Sequence, residues 1–259
     1  MKKTLLLLIL LTSLHSFSQH KKIIYVDVDY NVIPFLKYQK KATSKLFDVA
    51  KIENDTAIFK KLRYAEYYGK LKPETNNQLT KLFTKRFDID STKTLLIHYM
   101  DSVPNIKKMP KESGIKVIDT INGTHLLITK TQLRSKKGNA YYGKKHIHIQ
   151  SAKDYLKNLK TEKKRYSKKR LELIHLYKKN NGFPENKLKP FNYFTDKNYI
   201  ISKLFSDKMK MFKVILIHPN GEFYVSRFNN GGSLKENKLA KKSFYDKQRK
   251  KWLKRLNKI

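Results

Sequence analysis

Not one cysteine occurs among the 259 residues of this chain, although its opening stretch, MKKTLLLLILLTSLHSFSQ, has the pattern of a secretory leader. Two lysines precede an apolar run from Leu5 to Leu11, and Ser16-Phe17-Ser18 places small residues at the −3 and −1 positions, so cleavage is expected before Gln19 or His20. The run is far shorter than the roughly 20 apolar residues that a spanning helix needs. The mature protein is therefore expected to be periplasmic or secreted, with no transmembrane segment. Without cysteine it has no disulfide, no thiolate nucleophile and no thiolate metal ligand. Its fold must rest on a hydrophobic core, which a chain of about 240 mature residues is long enough to build.

Charge constrains the partners. The chain carries 58 Lys and Arg against 21 Asp and Glu, a formal net charge of +37. Lysine supplies fifty of the 58 basic residues, and glutamate does not keep pace with it. Such a field attracts polyanions and repels cations. In an exported setting the candidates are an anionic envelope component, an acidic polysaccharide or nucleic acid, the last held by phosphate neutralisation and lost with salt.

Along the mature chain, KKIIYVDVDYNVI alternates as a half-exposed strand and turn. LFDVAKIENDTAIFKKLRYAEYY reads as a hairpin turning at Asn54-Asp55, and PETNNQLTKLFTKRF as a helix with Leu79, Leu82, Phe83 and Phe87 on one face. Thr94 to Met100 is an apolar strand that runs into the loop holding Asp101, Ser102 and Pro104. IKVIDTINGTHLLITK is a hairpin with Asn122-Gly123 at its turn, and HIHIQ a short strand. Ser151 with Asp154 has the spacing of a capping box, which opens a helix expected to run to Lys179. Its seam is apolar at both ends and basic in the middle, which predicts a break or a departure from the core. TDKNYIISKLF reads as a short helix, and MFKVILIH and EFYVSRF as strands joined by Pro219-Asn220-Gly221. Ser233 with Glu236 is a second capping box, starting a C-terminal helix with Tyr245, Trp252 and Leu256 inward.

From residue 93 the order strand, loop, helix, short helix, hairpin and closing helix resembles the thioredoxin-like fold. LLIHYMDSV and VILIHPNGEFYVSRF match that family's central strand and late hairpin in pattern. The family's paired cysteines would fall at about Pro104 and Lys107, so the resemblance implies the scaffold without its thiol–disulfide chemistry. KMKMFKV also lacks the family's proline before the late hairpin. The expected fold class is α/β, with α+β as the alternative: a thioredoxin-like central sheet with flanking helices plus an N-terminal β-rich segment. The expected divisions are a leader over 1–18, an N-terminal segment over 19–92 and the thioredoxin-like domain over 93–259, with an insertion at about 116–150.

Other chemistries leave weaker traces. Asp27-Val28-Asp29 after an apolar strand resembles the Asp-x-Asp loop of haloacid-dehalogenase-like phosphatases, but Tyr30-Asn31 follows it in place of Gly-Thr, and no late acidic pair accompanies it. His146 and His148 share a strand face and are candidate metal ligands, although a zinc site needs three or four. His98, His125, His175 and His218 are scattered, with His98 and His218 on apolar strands. No Gly-x-Ser-x-Gly elbow surrounds any serine. Two basic runs form the candidate polyanion surface: Lys163, Lys164, Arg165, Lys168, Lys169 and Arg170 around Tyr166, and Lys250, Lys251, Lys254 and Arg255 around Trp252. Aromatics between cations can stack on bases or sit at a lipid interface, yet helical spacing turns Tyr166 and Trp252 toward a core. No cofactor is implied. The expected function is a non-redox binding or structural role at the cell envelope with an anionic partner. The alternative is a phosphatase-like or metal-dependent hydrolase whose site is assembled from distant residues.

Overall fold

The computed structural model describes residues 21–118, 125–129, 146–167, 171–209, 212–227 and 234–259. The expected leader and the expected turn at Asn122-Gly123 lie outside them. The chain is a mixed α/β protein that divides into two compact units. One runs to Ala65 and takes in Asp207–Lys210, and the other comprises Glu66–Ser206 and Met211–Lys258.

In the first unit, β1 (Lys22–Val26), α1 (Phe35–Ala42), β2 (Phe47–Glu53) and β3 (Ala57–Tyr64) build a three-stranded sheet in the order β1-β3-β2. β1 runs parallel to β3, while β2 and β3 form the expected antiparallel hairpin. Asn54 closes that hairpin, its side-chain oxygen accepting from the Thr56 and Ala57 amides at 3.1 and 2.7 Å. Val26, Val28, Ile33, Tyr38, Leu46 and Leu62 fill the core. The helix α1 was not anticipated from the sequence; of its eight residues only Tyr38 is buried, and its apolar Phe35 and Leu36 are exposed.

The second unit holds a six-stranded sheet built from β4 (Glu66–Lys70), β5 (Thr94–Val103), β9 (Leu171–Asn180), β10 (Tyr193–Thr195), β11 (Val214–Ile217) and β12 (Glu222–Ser226), in the order β10-β9-β5-β11-β12-β4. β5 pairs parallel with β9 and antiparallel with β11, and β11–β12 is an antiparallel hairpin. Gly221 turns that hairpin at φ +80°, a conformation that side chains rarely adopt. The helices are α2 (Pro73–Phe87), α3 (Ala152–Ser167), α4 (Glu185–Leu188), α5 (Ile200–Ser206), α6 (Leu234–Leu239) and α7 (Lys242–Leu256). Separately, β6 (Gly114–Ile118), β7 (His125–Thr129) and β8 (His146–Ile149) make a small antiparallel sheet in the order β7-β6-β8.

One expectation is overturned. The helix opened by Ser151 stops at Ser167, and residues 171–180 form β9. Leu171, Leu173, Ile174, Leu176 and Tyr177 are all buried, on both faces of a central strand. A strand covered on both sides reads as a continuous apolar run, and its Leu173 and Tyr177 coincide with the three-and-four spacing of the helix before it. The cap itself holds, with the Asp154 amide donating to Ser151 Oγ at 3.2 Å.

Candidate metal centre

Parallel register sets up the centre. Residue pairing along β5 and β9 aligns His98 with His175, so both imidazoles leave the sheet on the same face. Their ring centroids are 5.3 Å apart at 73°. Helix α3 packs over β9, and its Leu159, Glu162 and Tyr166 stand three and seven residues apart, on one helical face. That face brings Glu162 to the two histidines. Its Oε1 lies 3.2 Å from His98 Nδ1, and its Oε2 lies 3.8 Å from His175 Nε2. One ligand atom from each of the three residues lies within 4.8 Å of the others.

A second carboxylate stands behind the first. Glu236 of α6 lies 3.8 Å from His98 Nε2 and accepts a 2.8 Å hydrogen bond from the Tyr166 hydroxyl. On the other flank the Tyr193 ring stacks on His175 at 4.1 Å, and Tyr155 donates to the Tyr193 oxygen at 3.2 Å. His98, His175 and Glu236 are each 3% exposed, and only Glu162 is half-buried. His175 Nδ1 is buried with no hydrogen-bond partner, and the nearest acceptor to the buried His98 Nε2 is Glu236 at 3.8 Å.

The two imidazoles differ in their hold on a proton. Burial pushes the His98 imidazolium down, but hydrogen bonds and charge from Glu162 and Glu236 outweigh it and raise the group to about 9. Burial drives His175 well below its ordinary value, and the neighbouring His98 charge adds to that. Burial also raises the Tyr166 and Tyr193 hydroxyls, so both remain neutral.

Two imidazoles and a carboxylate form a donor set that suits zinc and other first-row divalent ions. Ligand atoms about 2 Å from a shared ion stand roughly 3.3 Å apart in a tetrahedron; one Glu162 oxygen lies 3.2 Å from His98 and the other 3.8 Å from His175, and one atom from each residue lies within 4.8 Å of the others. A proton on His98 offsets one of the two carboxylates, whereas a divalent ion beside two neutral imidazoles offsets both. Glu236, facing the other nitrogen of His98, stands where a ligating histidine commonly finds a carboxylate partner.

No protein family, curated protein or solved structure matches this chain.

The residues expected from sequence are placed as follows. His148 is exposed on β8 and lines a cleft of about 820 Å³ with Pro104, Asn105, Lys108, Tyr155 and Asn181, while the His146 side chain lies outside the described residues. This cleft opens at the carboxyl end of β5, beside the loop where the resemblance would put paired cysteines. Asp101 and Ser102, expected in that loop, belong to β5, which runs on to Val103, and the exposed Asp101 pairs with Lys178 at 2.7 Å. Lys163, Lys164, Arg165, Lys250, Lys251, Lys254 and Arg255 are exposed, and Lys168, Lys169 and Arg170 lie outside the described residues. Tyr166 and Trp252 face the interior, at 1% and 4% exposure. The Asp27 carboxylate is used by its own turn, accepting from the Asp29 and Asn31 amides at 2.8 and 2.9 Å, and Asp29 pairs with Lys208. His218 is buried with Nδ1 3.2 Å from Thr94 Oγ1, while its Nε2 has no hydrogen-bond partner.

All four residues of the centre, His98, Glu162, His175 and Glu236, were missed by sequence reasoning, which placed His98 among scattered histidines on apolar strands. Glu162 had a usable signal, since a carboxylate between Leu159 and Tyr166 on a buried helical face needs a cationic partner. His175 was hidden by reading β9 as helix. Glu236 was assigned to a capping box, whereas its carboxylate accepts from Tyr166.

Proposed function

We propose that this chain is an exported, non-redox protein of thioredoxin-like architecture that retains a divalent transition-metal ion, zinc foremost, through His98, Glu162 and His175. The observation that carries the reading is the convergence of these three side chains, from two strands and a helix, to within 4.8 Å. The thioredoxin-like part is supported by the parallel β5–β9 pair around α3, the β11–β12 hairpin and the closing helix α7. Burial of both imidazoles favours retention of an ion over turnover at it, because a hydrolase needs a coordination position that substrate can reach. The ion enters past Glu162, the ligand that borders solvent.

The test is zinc titration of the tag-free mature protein by calorimetry, with thermal unfolding alongside. One equivalent should bind. At a hundredfold excess over Kd the ion stabilises by about 2.7 kcal/mol, which raises Tm by roughly 5–10 °C for a unit of this size. Glu162→Gln and His175→Gln should each abolish this, while His146→Gln with His148→Gln should not. Binding that survives both single changes overturns the reading.

Basicity favours a second role beside the first, a binding or structural part at the cell envelope with an anionic partner. The exposed Lys163, Lys164, Arg165, Lys250, Lys251, Lys254 and Arg255 support it. Binding to DNA, an acidic polysaccharide and anionic vesicles across a salt series tests it. Preference for one of them that persists at physiological salt is the expected result, and equal, salt-abolished binding to all three would refute it.

A further inference from the structure

The first unit carries an apolar tip that is largely exposed, although the Phe35 ring packs on Tyr25 at 5.1 Å. Tyr30, Val32, Phe35 and Leu36 fall within seven residues and are 56%, 72%, 50% and 77% exposed. Monomeric proteins scatter such residues singly, and a cluster marks an interaction site. Ile33 and Tyr38, interleaved with them, are buried, so alternate residues anchor the segment while the others project.

The tip is rigidly built. The Ile33 amide donates to the Tyr25 carbonyl at 2.9 Å, Val32 bridges Val26, and the Asp27 carboxylate accepts from two amides of the turn. Tyr30 sits at φ +69°, which a bulky residue adopts only when its surroundings enforce it. Here the Tyr30 hydroxyl donates to Asp207 at 2.7 Å, and the Lys61 ammonium lies 3.0 Å from its ring centroid. A loop strained and braced in this way holds a fixed set of side chains toward solvent.

Charge selects the occupant. Lys37 and Lys40 are exposed on α1, with Lys40 one turn from Leu36, and exposed Lys45 follows the helix. The carboxylates of the same turn are already engaged, Asp27 by the turn amides and Asn31, and Asp29 by Lys208. The tip therefore presents apolar side chains beside lysines, the combination that settles at the boundary of anionic headgroups and acyl chains. We propose that this tip docks the protein on an anionic phospholipid bilayer, with Val32, Phe35 and Leu36 entering the interface and Lys37, Lys40 and Lys45 meeting lipid phosphates. The proposal is independent of the metal centre.

The cysteine-free chain makes the test direct, since Leu36→Cys provides a unique attachment point for an environment-sensitive fluorophore. The labelled mature protein is mixed with vesicles of phosphatidylcholine alone and of phosphatidylcholine doped with phosphatidylglycerol. A blue shift with the doped vesicles alone is the expected result. In co-sedimentation, Val32→Asp with Leu36→Asp should lower partitioning at least about tenfold, and Val49→Asp with Ile52→Asp, at exposed apolar positions of β2, should leave it unchanged. Four results would overturn the proposal: an equal shift with both vesicle types, vesicle binding with no shift at position 36, undiminished partitioning of the Val32/Leu36 variant, or a concentration-dependent shift without lipid, which would mark the tip as a contact between copies of the chain.

Discussion

His98 and His175 are register partners on adjacent parallel strands, yet they hold protons in opposite senses. Two carboxylates serve His98, while His175 meets a tyrosine face and the edge of one of those carboxylates. The pair is thus divided into a cationic and a neutral imidazole before any ion arrives. Both must be neutral for both to be ligands.

This division predicts how the metal-free protein responds to pH. A histidine whose folded value is raised contributes stability that is complete below its unfolded value of 6.5 and is lost as pH rises through about 9. His175 and His218 are lowered, so their contribution is present above 6.5 and lost below it. Between pH 6.5 and 9 the second unit should therefore lose stability on the order of a few kcal/mol, a decline that His98→Gln should not show. Urea unfolding followed by Trp252 fluorescence reads this, because Trp252 is the chain's one tryptophan and is buried in that unit.

Tyr166→Phe should cost about 1–3 kcal/mol, because it strips the buried Glu236 carboxylate of its hydroxyl donor. Zinc affinity should change much less, since the Tyr166 hydroxyl bonds Glu236 and its ring contact with His98, edge to face at 6.1 Å, is kept by phenylalanine. The same unfolding and titration measurements separate the two effects. An equal loss in both would place Tyr166 among the ligands.

Gly69→Ala tests the packing of the β4 edge. A Cβ at this position would meet Phe223 Cζ at 2.4 Å, closer than real side chains approach. Overpacking of this kind costs about 1–3 kcal/mol, and Phe223→Leu in the same chain should recover part of it. Denaturation of both variants checks the expectation.

Strands and turns with strong local chemistry were legible in the sequence: β5, the Asn54 and Gly221 hairpins, α2 and the Ser151 cap. Two things were not. Helix α1 is only eight residues long and buries one of them, Tyr38, so it lacks the extended buried face that marks α2. Strand β9 is covered on both faces, so its run of leucines fits a helix as well as a strand. That second ambiguity concealed the centre, because His175 meets His98 only when 171–180 is extended and parallel to β5. A site assembled from residues 98, 162, 175 and 236 has no local spacing to betray it. The apolar character of β5 and the capping of α3 were visible, but their juxtaposition is a property of the sheet.

The central claim is tested most directly by anomalous diffraction at the zinc edge from crystals of the tag-free protein grown with one equivalent of zinc. The account predicts one dominant peak about 2.0–2.2 Å from nitrogens of His98 and His175 and an oxygen of Glu162. A dominant peak at His148 or elsewhere on the surface, with none among those three side chains, would contradict it.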